Sequence, residues 1–190
     1  MANMNSPMGL IPRRTFDGST IITSPYSIAT AYTTAIGLGD VVKLTTTGKE
    51  INKSAAGNTD NIGVFAGCEY DDASGKRNWS KYWPGVSDGK SNIVAYVWDS
   101  PNILFECQAD GCVAGEVGLV CDWNVGTINT KSGLSGLYAV LSGTSATTGG
   151  SLRVVGLIDR PDNAYGAYAK ILVQLIEHVA NQTISGLGGV

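Results

Sequence analysis

The sequence predicts an all-β fold: one β-barrel or sandwich-like domain preceded by an extended N-terminal arm. Three observations predict it. Short runs rich in Val, Ile, Thr and Tyr are broken by Gly, Asn, Asp or Ser every ~8–12 residues, the spacing of strands joined by turns. The 190-residue chain holds 25 glycines, well above the usual ~7%, and they fall between apolar runs without a fixed period, as turn residues do. The first 20 residues carry Pro7 and Pro12 and no apolar periodicity, which marks an arm and not a core element.

Six elements follow in order. Gly39-Asp40 introduces a β-branched run over 41–46, closed by Thr47-Gly48. A second strand is expected over 61–66, ended by the acidic turn 71–75, and a third over 92–98, stopped by Asp99-Ser100-Pro101. Runs over 103–107 and 118–121 are the fourth and fifth. The sixth, 152–158, stops at Asp159-Arg160-Pro161. The segment 168–179 fits both periods: positions 171, 173 and 175 line a strand face, while 171, 172, 175, 176 and 179 line a helix face. Its Ile and Val content and the lack of an opening cap residue favour a strand. Expected boundaries are therefore an arm over 1–20, a β-rich domain over 21–180 and a Gly-rich, mobile tail over 181–190.

Charge and composition exclude several function classes. The net charge is −3. No Lys or Arg stands between Lys90 and Lys131, while Asp99, Glu106, Asp110, Glu116 and Asp122 do. Nucleic-acid binding needs clustered cations, and Arg13-Arg14 and Lys76-Arg77 with Lys81 are too few, so no nucleic-acid partner is expected. No stretch approaches the ~20 apolar residues of a membrane span, and the start lacks a signal-peptide core. Synthesis in a cytoplasm is expected, with Cys68, Cys107, Cys112 and Cys121 as buried thiols. The Asn-x-Ser/Thr triplets at Asn52, Asn78 and Asn181 then carry no glycan.

The chemical motifs fall short one by one. Gly85-Val86-Ser87-Asp88-Gly89-Lys90-Ser91 has one residue too few between its glycines for a phosphate-binding loop, and it leads into a strand. Gly37-Leu38-Gly39 has Val42 where a dinucleotide fingerprint needs its third glycine. In Gly133-Leu134-Ser135-Gly136 the second glycine comes a residue early for a nucleophile elbow. His178 is the sole histidine, and it reads as the end of the last strand. Cys107, Cys112 and Cys121 lack a Cys-x2-Cys pair, and the acidic turn lacks a calcium loop's alternation. No catalytic residue, cofactor site or metal site is expected, and the chain does not read as an enzyme. The cluster Trp79, Tyr82 and Trp83, preceded by Lys76-Arg77, is the leading functional candidate. Its rings suit a loop folded over the end of the domain, a protein interface, or sugar stacking.

The body resembles the head-decoration, or capsid cement, proteins of tailed bacteriophages. The resemblance runs along 39–44, 62–67, 97–106, 132–136, 154–163 and 168–173, and the opening Pro7-Met8-Gly9-Leu10-Ile11-Pro12-Arg13-Arg14 looks like the proline- and arginine-marked start of such proteins. These blocks cover most of residues 9–178; the aromatic cluster at 79–83 is not among them. The resemblance implies a virion protein on the capsid exterior, made in the host cytoplasm. It implies as partners the major capsid protein and further copies of itself, commonly as a homotrimer, with no catalytic residues. The rival reading is a glycan-binding surface module using Trp79, Tyr82 and Trp83. On the first reading Leu10, Ile11, Arg13, Arg14 and Phe16 are candidate contacts with a neighbour. At most ~55 Å long when fully extended, the arm is expected to gain little from its own body. Its arginines are expected to pair with carboxylates of another copy or of the capsid, and its removal to leave the body folded.

Overall fold

A long antiparallel strand that outruns its neighbours organises the molecule. The computed structural model describes residues 3–46, 49–85, 89–142 and 149–181. The strands are, in chain order, β1 (Ile11–Thr15), β2 (Ser24–Ser27), β3 (Val41–Leu44), β4 (Ile51–Lys53), β5 (Asn61–Asp71), β6 (Arg77–Ser80) and β7 (Ser91–Trp98). Then come β8 (Ile103–Gln108), β9 (Gly111–Cys112), β10 (Val120–Asn124), β11 (Tyr138–Val140), β12 (Leu152–Leu157), β13 (Gly166–Ala167) and β14 (Lys170–Leu175). Helix among the described residues is limited to the 3-10 turns Ala114–Glu116 and Val179–Asn181.

One sheet has the order β1-β8-β14-β12-β10-β11, and the other β2-β7-β5-β3-β4 with β6 joined to the far half of β5. β9 and β13 form a separate ribbon. Isolated bridges, Ser27 with Glu50 and Ala109 with Ala139, draw the ends of each sheet together, but the sheets pack as a sandwich and neither is a closed barrel. The segment 168–179 resolves as strand β14. Its neighbours β8 and β12 flank it on both sides, satisfying its backbone groups across the sheet where a helix would satisfy them internally. Ile171, Val173 and Leu175 point into one core, as period-2 alternation requires.

Two cores result. The first lies between the sheets and includes Phe105, Leu152, Ile171 and Val173, together with Val41 and Val64 from the second sheet. The other lies behind the second sheet and holds Val42, Phe65, Ala95 and Val97, covered by Ile28, Ile36 and Trp83. Val41 and Val42 thus face opposite cores, and at this end the second sheet is buried on both sides.

The N-terminal stretch is extended, but it lies along its own body. β1 pairs with β8 from Ile11 opposite Glu106 to Thr15 opposite Ile103, with a bulge between Pro12 and Arg14. An edge strand with a bulge is where a proline is tolerated in a sheet. Leu10 is fully buried in the first core, so the stretch does bury a side chain on its own domain. A single apolar anchor leaves no periodicity for a pattern to reveal. Of the tail 181–190, all but Asn181 lies outside the described residues, as do residues 86–88 of the rejected phosphate-loop motif.

Candidate contact surfaces

The N-terminal strap is fastened by polar groups chosen for a backbone that has no sheet partner. Asn3 Nδ2 donates to the carbonyls of Ala164 and Ala167, each at 2.8 Å, and its Oδ1 accepts from Ala164 N–H at 3.0 Å. Ser6 N–H donates to Gln108 Oε1 at 2.6 Å, and Gln108 Nε2 donates to Asn5 Oδ1 at 2.9 Å. The buried Lys170 ammonium donates to Ser6 O at 3.0 Å and to Gln108 Oε1 at 2.6 Å. Burial lowers the pKa of this lysine.

Further along, Arg13 donates through Nε to Glu106 Oε2 at 2.5 Å and also contacts it through Nη2. Glu106 is fully buried, and Arg160 Nη2 lies 3.2 Å from its other oxygen. Arg13, expected to seek a neighbouring subunit, is therefore paired within its own chain by a carboxylate of the acidic stretch 99–122. Arg14 points to solvent. Ile11 is half-buried, and Phe16 is exposed while its N–H donates to Asn102 O at 3.0 Å. Of the five strap candidates, Arg13, Arg14 and Phe16 are exposed, and Arg13 is already paired with Glu106. Met4, Tyr165 and Tyr168 are exposed beside the strap's start, and sequence pattern did not single them out.

The strap meets both sheets at one buried joint. Leu10 N–H donates to Gly39 O at 2.9 Å, and Gly9 N–H to Leu137 O at 3.2 Å. Gly9 has φ +74, and a Cβ there would stand 2.7 Å from Gly39 O, so only glycine fits. Beneath them Asp40, fully buried, accepts from Gly37 N–H at 2.7 Å, from Ser135 Oγ at 2.5 Å and from Lys53 Nζ at 2.8 Å. A buried carboxylate persists only when its lone pairs are met this way.

The aromatic cluster does not act as one surface. Trp83 is fully buried in the core behind the second sheet. Its Nε1 donates to Tyr32 O at 3.2 Å, and its ring meets Tyr70 edge-to-face at 6.0 Å. Tyr82 is half-buried, and Trp79 is exposed on β6. β6 ends at Ser80, and the chain then turns inward, so neighbours in sequence part company. The three-ring platform is replaced by a single exposed ring. The acidic turn before it is held by Asp72, whose Oδ1 accepts from Ser74 N–H at 2.9 Å, Ser74 Oγ at 2.5 Å and Lys76 N–H at 3.1 Å. Those hydrogen bonds hold its carboxyl well below the usual carboxylate range.

The reactive side-chain types are held inert. All four cysteines are buried and unpaired. Burial pushes the thiols of Cys68, Cys107 and Cys121 up to about 12 and that of Cys112 up to about 11. His178 Nδ1 accepts from Ala180 N–H at 3.0 Å, so Nε2 carries the hydrogen and donates to Ile62 O at 2.7 Å. Burial lowers the pKa of this ring. Among the described residues no group of three or more His, Cys, Asp or Glu is placed to hold a metal ion, and no helix is long and apolar enough to cross a membrane.

Comparison with known proteins adds no assignment: no family model, curated protein or solved structure matches the chain.

Proposed function

We propose that this chain is a structural protein of a tailed-phage virion that binds the outside of the assembled capsid and stabilises contacts between major capsid subunits. The role is mechanical, with no cofactor and no catalytic step, and the working form is an oligomer, most simply a homotrimer. The observation that carries this reading is where the resemblance blocks meet. The strap block 7–14, the block 39–44 and the block 132–136 are far apart in sequence, yet their Gly9, Leu10, Gly39, Asp40 and Ser135 build one buried joint. Shared blocks that converge on a structural joint are what a common architecture requires. A body cross-braced in this way suits a clamp, which must hold its shape under load. The exposed Met4, Phe16, Tyr165 and Tyr168 are side-chain types suited to burial at an interface.

A clamp that binds only the finished lattice stabilises it by mass action. The test is co-sedimentation of the purified protein with undecorated capsids, followed by heating of decorated and bare particles. Saturable binding and a higher disruption temperature for decorated particles are expected. No co-sedimentation, or equal heat tolerance, would overturn the reading. Light scattering of the free and bound protein tests the trimer.

A further inference from the structure

The second sheet extends past the sheet that covers it. On the face turned towards the first sheet, Val41, Val64 and Trp98 reach the first core. The strand registers carry that face outward: Gly67 lies opposite Tyr96, Glu69 between Val94 and Trp79, and Asp71 opposite Arg77. Here the cover ends. Trp79 is 57% exposed, Arg77 is exposed, and Glu69, Asp71, Val94 and Tyr96 are half-buried.

The ring is seated. Gly67 has φ +132, and a Cβ there would come within 3.1 Å of the Trp79 ring, so the absent side chain lets the indole rest against the backbone beside Tyr96. A polar frame is fixed at the edge of the ring. Arg77 donates through Nε and Nη2 to Glu69 Oε2 at 3.2 and 3.1 Å, and through Nη1 to Asp71 Oδ1 at 3.2 Å and Asn92 O at 2.7 Å. Asn92 Nδ2 donates to Asp71 Oδ2 at 2.7 Å. Burial and the neighbouring Glu69 carboxylate raise the pKa of the Tyr96 hydroxyl.

The chemistry of an occupant follows from this arrangement. One guanidinium against two carboxylates leaves the frame a single net negative charge, which disfavours a polyanion and is too small to select a polycation. The core of a protein interface is depleted of charge, whereas this ring is hemmed by charged groups. A neutral pyranose meets both halves: its C–H face stacks on an indole, and its hydroxyl rim both donates to carboxylates and accepts from amide and guanidinium groups. A frame already held by its own hydrogen bonds loses little freedom on binding. We propose that the Trp79 face binds a neutral polysaccharide, with one pyranose stacked on Trp79 and its hydroxyls bonded to the Glu69–Arg77–Asp71–Asn92 frame. This site uses none of the joint or strap residues and goes beyond the capsid reading.

The test is a titration of isotope-labelled protein with three neutral hexasaccharides (maltohexaose, cellohexaose and chitohexaose), read at the tryptophan indole N–H signals. At least one should give a saturable shift of the Trp79 signal while the buried Trp83 signal stays put. Trp79→Ala should weaken binding by about tenfold or more, and Trp79→Phe less. All three sugars leaving Trp79 unmoved, or Trp79→Ala binding as well as the intact protein, would overturn the proposal. So would loss of Trp79 accessibility when copies associate or the protein docks on capsids. Trp79→Ala should still co-sediment with capsids, so the two readings fail separately.

Discussion

Removing the Arg13 guanidinium tests whether the strap is a staple within the chain or a reach towards a neighbour. Glu106 is fully buried, and Arg13 makes its closest charged contact. Breaking a buried ion pair by deleting one partner typically costs about 3–5 kcal/mol, because a charge is left unpaired in low dielectric. Two features lower that figure. The Arg13 side chain is 48% exposed, so water enters the space it leaves. Arg160 also stays 3.2 Å from the other carboxylate oxygen. Arg13→Ala should therefore destabilise by about 2–3 kcal/mol, or roughly 4–12 °C in Tm for a chain of this size. Glu106→Gln, which keeps shape and removes charge, should cost less, and the double variant should fall short of the sum by about 1 kcal/mol or more. Urea unfolding at two protein concentrations measures this, since a contribution from subunit contacts would make the midpoint concentration-dependent. Arg13→Ala within about 0.5 kcal/mol of the parent, or strict additivity in the double variant, would refute the intrachain staple.

Two further outcomes follow from the buried titratable groups. The folded His178 ring has its pKa below the unfolded value of 6.5, so below that value the unfolded chain binds more protons than the native one. Its contribution to stability is complete above about pH 6.5 and is lost as pH falls; His178→Gln should flatten that part of a stability–pH profile, and an unchanged slope would refute the assignment. The four cysteines, with thiols raised to about 11 or 12, should resist dithionitrobenzoate at pH 8 in the native protein and react fully in urea; prompt reaction of any one without denaturant would contradict its burial.

The regular part of the fold was legible because its strands alternate or run apolar without interruption. The strands at 41–44, 91–98, 103–108, 152–157 and 170–175 fall where β-branched runs and turn residues predicted them. β5 was legible only to Ala66, yet it continues to Asp71. Its second half is polar because one of its faces has lost the cover of the first sheet, so composition there reads as a loop. β1, with the sequence Ile-Pro-Arg-Arg-Thr, reads as an arm because an edge strand needs one neighbour and one anchor, not a periodic face. Linear proximity misled at 79–83, where Trp79 and Trp83 lie on opposite sides of the second sheet. The converse holds for the candidate site. Glu69, Trp79 and Tyr96 lie up to 27 residues apart in sequence and meet only through the registers of β5, β6 and β7. The hairpin turn at Asp72–Gly75 was the one available signal, since it places 77 and 79 opposite 71 and 69.

The two proposed surfaces draw on different elements, and this decides how they behave under mutation. The strap and the side chains beside it belong to the first sheet's partners: β1 pairs with β8, and Asn3 is bonded to the loop ahead of β14. The Trp79 face belongs to β5, β6 and β7. The joint between them, where Gly9 of the strap meets Gly39 and Asp40, is buried and hydrogen-bonded, so it holds the two parts in fixed relation while offering no exposed side chain to either surface. Substitutions at sites with no shared partners add independently. Loss of capsid attachment with saccharide binding intact, or the reverse, is therefore the pattern expected of surface variants. Damage to the joint should lower both together, through stability and not through contact.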